Sequence, residues 1–196
     1  KQTLKVKVMD ATDNSLQPRG KQCFINRSIW YTPVSGIWQT VWLEPVAAAH
    51  IENYYVVSDI DNGTMTFDVD ASTSEGDVVK VAVLEGGEGY SAENPSAKVL
   101  AEAEVENGKA VVKIDNVKTW SPDSPYLYGV KVSIERGGKV LDAVDGYTAM
   151  RKISIVKDTT PNKYRRMALN NEPLFQFGHG LSYTTFEYTD FALSAD

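Results

Sequence analysis

Apolar and polar residues alternate along most of this chain, which is the pattern of strands with one buried and one solvated face. The alternation is clearest in residues 4–8, 64–70, 79–83, 110–114, 130–134 and 151–155. Turn-forming sequences separate several of these runs, namely Asp61-Asn62-Gly63, Glu75-Gly76, Asn107-Gly108 and Gly137-Gly138. The pattern therefore predicts short antiparallel strands joined by tight turns, and no helix.

The middle of the chain has the strand density of a β-sandwich. Residues 51–156 hold about seven candidate strands, which matches the size and strand number of an immunoglobulin-like domain. The cysteine pair of antibody domains is absent, so this prediction rests on the strand pattern. Residues 1–48 are predicted to add about three strands, and residues 157–196 two or three more. The predicted fold class is all-β, an immunoglobulin-like antiparallel β-sandwich with flanking β segments.

The charge of the chain narrows the set of partners. Its 196 residues carry a formal net charge of −6, and no run of Lys or Arg occurs. Such a surface is unsuited to nucleic acid or to an anionic membrane. No apolar run approaches the ~20 residues that a membrane-spanning helix needs. We therefore predict no nucleic-acid partner and no membrane partner.

The sequence contains no convincing set of metal-binding or cofactor-binding residues. Cys23 is the single cysteine, which rules out an intrachain disulfide, and His50 and His179 are far apart without an obvious third ligand. The acidic stretch at residues 59–63 has two readings, a calcium loop or a hairpin turn. It lacks the ligand spacing of an EF-hand, so the hairpin turn is favoured. No metal and no other cofactor is predicted.

Several motifs in the first part of the chain resemble a known family. Residues 35–46, SGIWQTVWLEPV, resemble the end of the N-terminal jelly-roll domain of glycoside hydrolase family 2, the β-galactosidase and β-glucuronidase family. Residues 17–22 (QPRGKQ) and 29–36 (IWYTPVSG) look like the preceding segments of that domain. The resemblance implies a partial jelly-roll segment over residues 1–48.

The resemblance continues through the predicted sandwich. Residues 119–134 (TWSPDSPYLYGVKVSI) resemble the late part of the family's immunoglobulin-like domain. Residues 142–155 and 168–178 look like its last strands and the approach to the catalytic barrel. This implies a sandwich over residues 49–157 and a C-terminal β tail over residues 158–196, which we expect to pack on the N-terminal segment.

Two departures from the family pattern affect the expected function. The barrel that carries both catalytic carboxylates in the family needs ~250 residues, and few residues follow the sandwich. Residues 173–194 instead resemble the start of the C-terminal fibronectin-like domain of glycoside hydrolase family 3. We therefore expect this chain alone to be inactive as an enzyme and assign no catalytic residue. The parent protein is expected to be periplasmic or secreted, although no signal peptide is present in this chain.

The resemblance also suggests sugar contacts in the N-terminal segment. Loops of the family's jelly roll reach the rim of the active site, which makes Arg19, Lys21, Trp30 and Tyr31 candidates for sugar binding. Aromatic faces stack on sugar C–H faces, and Arg binds carboxylate or hydroxyl groups. The alternative is that Trp30 and Tyr31 fill the jelly-roll core or a domain interface.

The aromatic residues of the proline-rich stretch at residues 119–130 also have two interpretations, sugar binding or packing within the fold. Trp120 is a further candidate for sugar binding by stacking, and Tyr126 and Tyr128 lie nearby. The alternative, which we favour, is that Pro122 and Pro125 stiffen a crossover while the aromatic rings fill the end of the sandwich.

Glu172 follows an asparagine, as the family's acid/base glutamate does, but it lies in the sequence Asn170-Asn171-Glu172-Pro173. That sequence is typical of a turn, so Glu172 is not assigned to catalysis.

Three functions follow from these observations. The first is a non-catalytic β-sandwich related to the accessory domains of family 2 glycosidases. The second is an independent carbohydrate-binding module. The third is a structural module that forms homo-oligomers through its open sheet edges.

Overall fold

The structure is a computed structural model that describes residues 3–14, 16, 19–157 and 164–174. The described residues form ten strands and no helix, so the all-β prediction is confirmed. Consequently no helix in the described ranges is long and apolar enough to cross a membrane. The chain divides into two compact units, residues 1–45 and 46–196.

The first unit contains little regular structure. Its β pairing, within the described residues, is one isolated bridge between Gln22 and Tyr31. The strand predicted at residues 4–8 is wrong, as is the expectation of about three strands in this region. A strand needs a neighbour for its N–H and C=O groups, and residues 4–8 have no partner strand in the part of the chain described.

The second unit contains all ten strands. In chain order they are β1 (His50–Asp59), β2 (Thr64–Ser72), β3 (Val78–Glu88), β4 (Val99–Glu104), β5 (Lys109–Lys113), β6 (Tyr126–Arg136), β7 (Lys139–Thr148), β8 (Ile153–Lys157), β9 (Arg165–Leu169) and β10 (Glu172–Pro173). Residues 51–156, for which about seven strands were predicted, span β1–β8 almost completely, so one strand more is present than expected. The predicted run at residues 151–155 overlaps β8.

Two antiparallel sheets make the sandwich. One has the order β1-β2-β5 and the other the order β4-β3-β6-β7. Strands β3 and β6 are neighbours although they are far apart in sequence, as are β2 and β5. These crossings between sheets are typical of immunoglobulin-like domains. A third sheet, with the order β10-β9-β8, follows the sandwich in the chain.

The core lies between the two sandwich sheets. Alternate residues of β2 face inward, so that Met65 and Phe67 are fully buried. The facing sheet contributes Val81, Val83, Val130, Val132 and Ile134, all with no exposed surface. The predicted period of two thus identifies the buried face of both sheets.

The turn at residues 59–63 is the predicted hairpin. The Asp59 carboxylate accepts hydrogen bonds from the backbone N–H groups of Asp61, at 2.9 Å, and Asn62, at 3.1 Å. The Asn62 side-chain amide also donates to Asp59, at 2.7 Å. These bonds hold the pKa of Asp59 below its usual value. They keep the carboxylate engaged with its own turn.

Candidate functional site

The two tyrosines of the proline-rich stretch are structural. Tyr128 is 1% exposed, and its hydroxyl oxygen accepts a hydrogen bond from the Lys118 backbone N–H at 2.7 Å. The Tyr126 hydroxyl accepts one from the Gly86 N–H at 3.3 Å, and the two tyrosine rings meet edge to face at 5.0 Å. The interpretation that these rings fill the end of the sandwich is therefore confirmed for Tyr126 and Tyr128.

Trp120 lies instead in a groove on the surface of the second unit. This "Trp120 groove" has a volume of about 580 Å³. The side chains that matter for its chemistry are Tyr55, Ser58, Trp120, Tyr147, Thr148 and Arg151. Strands β1 and β7, from opposite sheets, approach each other here, so each sheet contributes one tyrosine.

The strand period explains why those tyrosines are exposed. In β1 the neighbours Tyr54 and Tyr55 point to opposite faces, so Tyr54 is partly buried while Tyr55 is 65% exposed. Tyr147 on β7 is 61% exposed. The ring of Tyr54 fits because Gly146 has no side chain, since a Cβ there would lie 1.9 Å from the Tyr54 hydroxyl.

The floor of the groove is fixed by backbone pairing. Thr119 and Met150 form a parallel bridge, and the Trp120 N–H donates to the Met150 carbonyl at 2.9 Å. The Arg151 guanidinium then lies over the Trp120 ring, 5.2 Å from its centroid. This is a cation–π contact at a partly exposed site.

A second arrangement ties the third sheet to the sandwich, and we call it the asparagine clasp. It consists of Asn170 and Asn171, at the β9–β10 turn, with Asp61, Trp120 and Lys152. Asn170 accepts from the Lys152 N–H at 3.0 Å through its side-chain oxygen. It donates through its amide to the Trp120 carbonyl at 2.9 Å. The Asn171 amide donates to Asp61 at 2.7 Å.

The turn itself depends on asparagine. Asn170 has φ 53° and Asn171 has φ 72°, both in the left-handed region that most residues avoid. The turn predicted for residues 170–173 is therefore confirmed at its first two positions. Glu172 is exposed in the short strand β10.

Charge reinforces the clasp. Lys152 forms an ion pair and hydrogen bond with the Asp61 carboxylate. This contact, followed by the Asn171 hydrogen bond, holds the pKa of Asp61 below its usual value. Because the lowered pKa favours the charged form, Asp61 is a carboxylate over the physiological range.

The sugar-binding candidates of the first unit fall into two groups. Arg19 and Trp30 line one groove of about 420 Å³ together with Asp13. The Arg19 guanidinium donates to the Asp13 carbonyl at 2.8 Å. Lys21 and Tyr31 meet through their backbones, where the Tyr31 N–H donates to the Lys21 carbonyl at 2.8 Å. Sugar binding by these four residues remains a prediction.

Acidic side chains gather in one further groove of the second unit. It is lined in part by Asp70, Asp77 and Glu104. Asp77 is bound by both nitrogens of the Arg136 fork, at 2.7 and 3.0 Å, and accepts from the Ser74 N–H. The Arg136 hydrogen bonds hold the pKa of Asp77 below its usual value. The described residues contain no cluster of three or more His, Cys, Asp or Glu suited to a metal ion.

The sandwich is also the part of the chain that matches a protein-family model. Residues 49–151, slightly more than half of the chain, match the model of glycosyl hydrolases family 2. The chain belongs to glycoside hydrolase family 2. A family 2 assignment agrees with the resemblance seen in residues 119–134 and 142–155.

Individual relatives match over longer stretches. The β-galactosidase of Thermoanaerobacter pseudethanolicus is 26% identical over 169 residues, which are 83% of this chain and 21% of that enzyme. The chain thus spans about a fifth of the length of this curated relative.

Solved structures of the β-glucuronidase from Ruminococcus gnavus are also similar. The complex with N1-substituted uronic isofagomine is 20% identical, with a TM-score of 0.48, over 64% of this chain and 19% of that one. The apo structure is 22% identical, with a TM-score of 0.47, over 64% of this chain and 18% of that one.

Sequence reasoning missed most members of the Trp120 groove and of the clasp. Tyr55 and Tyr147 carried a signal, because a period of two places one residue of each adjacent pair outward. Arg151 carried none, and the signal of Asp61 concerned its own turn and not its contacts with Asn171 and Lys152, which are distant in sequence. The resemblance of residues 173–194 to family 3, apart from residues 173 and 174, lies outside the described residues, as does most of the predicted tail packing.

Proposed function

We propose that this chain is a non-catalytic accessory region of a family 2 glycoside hydrolase, and that its sandwich fixes the direction in which the chain continues after β10. The observation that carries this proposal is the asparagine clasp. A turn of two left-handed asparagines is held to the sandwich side by the Trp120 backbone and by Asp61 of the β1–β2 turn. Within its own sheet it is held by Lys152, the residue before β8.

The chemistry of the clasp suits a rigid junction. Its hydrogen bonds use side-chain amides and backbone groups, and one of its contacts is an ion pair. Several bonds in different directions restrain rotation of the β8–β10 sheet more than one bond does. A junction of this kind positions whatever follows it in the chain, whether or not it binds a ligand.

The grooves do not favour catalysis. Hydrolysis of a glycosidic bond normally uses two carboxyl groups, about 5–5.5 Å apart for retention or wider for inversion. The Trp120 groove is lined by no Asp or Glu among the described residues. In the acidic groove, Asp77 is engaged by Arg136, which leaves Asp70 and Glu104 as the carboxyl pair to be tested.

The test of this proposal is a hydrolysis assay of the purified chain with 4-nitrophenyl β-galactoside and β-glucuronide. We expect no release of nitrophenol above a blank without protein. Release that disappears in the double variant D70N/E104Q would overturn the proposal, because it would identify a catalytic pair in the acidic groove. The double variant D115N/E93Q, which makes the same changes at two exposed carboxylates that do not line the acidic groove, serves as the matched control.

A specific observation also favours self-association as a second role. Strands β8 and β9 pair Ile155 with Met167. These residues and Ile153 are each more than half exposed on the third sheet. We propose that two copies cover this surface in a homo-oligomer. Sedimentation of the wild type and of I155K/M167K tests this, and a wild-type monomer at millimolar concentration would contradict it.

A further inference from the structure

We propose that the Trp120 groove is a binding site for an acidic sugar, a pyranose residue that carries a carboxylate. This inference goes beyond the accessory role proposed above and does not depend on it. The accessory role does not require sugar binding, and sugar binding does not require the accessory role. The two proposals are also tested by different experiments, a hydrolysis assay for the first and a binding titration for the second.

The aromatic rings of the groove supply the first part of the argument. Tyr55 and Tyr147 are 65% and 61% exposed, and they border the same groove as the indole of Trp120. Large aromatic rings are usually buried, whereas Tyr and Trp at binding surfaces combine an apolar face with a polar tip. The C–H faces of a pyranose ring complement such faces, while its hydroxyl groups remain hydrogen-bonded.

The charge of the groove supplies the second part. Arg151 is the one charged side chain among its described lining residues, in a chain whose net charge is −6. Its guanidinium lies over Trp120, which restrains its position. An arginine stacked on an aromatic ring keeps N–H donors available at its edge, and their fork geometry matches a carboxylate. No carboxylate of the described lining residues repels such a ligand.

The size and rigidity of the groove supply the third part. Its volume of about 580 Å³ falls within the range of small-molecule sites. Ser58 and Thr148 are among its lining residues. The Ser58 hydroxyl donates to the Arg151 carbonyl at 3.5 Å, and its oxygen remains able to accept a hydrogen bond from a sugar hydroxyl. The bridge between Thr119 and Met150 fixes the backbone at Trp120. The entropy cost of ordering this part of the groove on binding is therefore small.

The experiment is a titration of the ¹⁵N-labelled chain, followed by amide chemical shifts. The probes are methyl α-D-galacturonide and methyl α-D-galactoside, which differ at C6 only. We expect the galacturonide to shift amides of residues 55–58, 120 and 147–151. We also expect it to bind about threefold more tightly than the galactoside, as an exposed ion pair allows.

Variants separate the contributions of charge and stacking. R151Q should equalise the two affinities, and Y147A should weaken the binding of both probes about fivefold. Both side chains are exposed, so the fold should survive, which the spectrum of each variant checks. W42A, which removes an aromatic ring of the first unit that is 75% exposed, should leave both affinities unchanged.

Two results would overturn the proposal. One is the absence of amide shifts in the groove with either probe at about 50 mM, since a site of this kind should bind well below that concentration. The other is an equal affinity for both probes in the wild type that R151Q leaves unchanged.

Discussion

Two regions of this chain share an alternating sequence but differ in what the alternation produces. Residues 64–70 form the centre of β2, where Met65 and Phe67 are completely buried. Residues 4–8 alternate as regularly, yet Leu4 is 79% exposed and Val6 57%. The first unit also exposes Trp38 at 87% and Leu43 at 95%.

The difference shows that alternation determines which face of a strand is apolar, but does not ensure that another strand pairs with it or that another sheet covers that face. Strand β2 is paired on both sides, by β1 and by β5, and a second sheet covers its apolar face. The described part of the first unit offers residues 4–8 neither a paired strand nor a covering sheet. We therefore expect stability to be concentrated in the second unit.

The largest predicted effect is a contrast between one aromatic residue in each region. Phe67→Ala opens a cavity in the sandwich core and should lower the free energy of unfolding by about 3–5 kcal/mol. Trp42→Ala removes a side chain that is 75% exposed, and should change it by less than about 0.5 kcal/mol. Urea unfolding followed by circular dichroism near 215 nm measures both. Equal effects would contradict the contrast between regions.

A glycine pair sharpens the comparison within the sandwich. In Gly146→Ala the new methyl group would lie 1.9 Å from the Tyr54 hydroxyl, so the ring must move. We expect a loss of about 1–3 kcal/mol, the usual cost of overpacking. Gly87→Ala is the control, because nothing lies within 4 Å of a Cβ at that position. Thermal unfolding should separate the two variants, and a harmless Gly146→Ala would disprove this packing.

A tyrosine pair tests the interpretation of the proline-rich stretch. Tyr128→Phe leaves the Lys118 N–H without its acceptor and should cost about 1 kcal/mol. Tyr147→Phe removes a hydroxyl from an exposed ring and should cost close to nothing. Urea midpoints of the two variants give the answer. If Tyr147→Phe were the more damaging change, the groove tyrosine and not the buried one would be structural.

The smallest predicted effect is a dependence of stability on pH. Hydrogen bonds and an ion pair lower the pKa of Asp61, so its charged form is favoured in the folded state. This contribution is complete above the unfolded pKa of about 3.9 and is lost as pH falls through the lower folded pKa. Melting temperatures between pH 6 and pH 2.5 should fall less steeply in Asp61→Asn than in the wild type.

The matched variant for this series is Asp115→Asn, which replaces another exposed aspartate of the same unit. It should preserve the wild-type slope. The contribution assigned to Asp61 would be refuted if Asp61→Asn showed the wild-type slope as well.

Some elements of the fold could be predicted from the sequence and others could not. The strands β2 and β6 and the turns at residues 61–63 and 107–108 were predicted because their signals are local: alternation, and residues that tolerate positive φ. The lack of strands in residues 4–8 was not predicted, because pairing depends on distant partners. The asparagine clasp was missed for the same reason, since Asn171 and Asp61 are remote in sequence but adjacent in the fold.

The residues of the Trp120 groove show the same distinction between local sequence signals and contacts made by distant segments. Trp120 was selected from its own sequence context, and the structure does place it in a groove. Tyr55, Tyr147 and Arg151 become part of that groove only when β1, β7 and the segment before β8 come together. The alternation within a single strand does not indicate which other strand will lie beside it, so the groove could not be predicted from the sequence.

The most direct test of the accessory role is a measurement of residual dipolar couplings for backbone N–H groups in the second unit. We predict that one alignment tensor fits β1–β7 and β8–β10 together in the wild type, because the clasp holds them as one body. In the double variant Asn170→Gly/Asn171→Gly, which keeps the left-handed turn but removes the side-chain bonds to Lys152, Trp120 and Asp61, the β8–β10 couplings should no longer fit that tensor. A wild type that needs two tensors, or a variant that still fits one, would contradict the account.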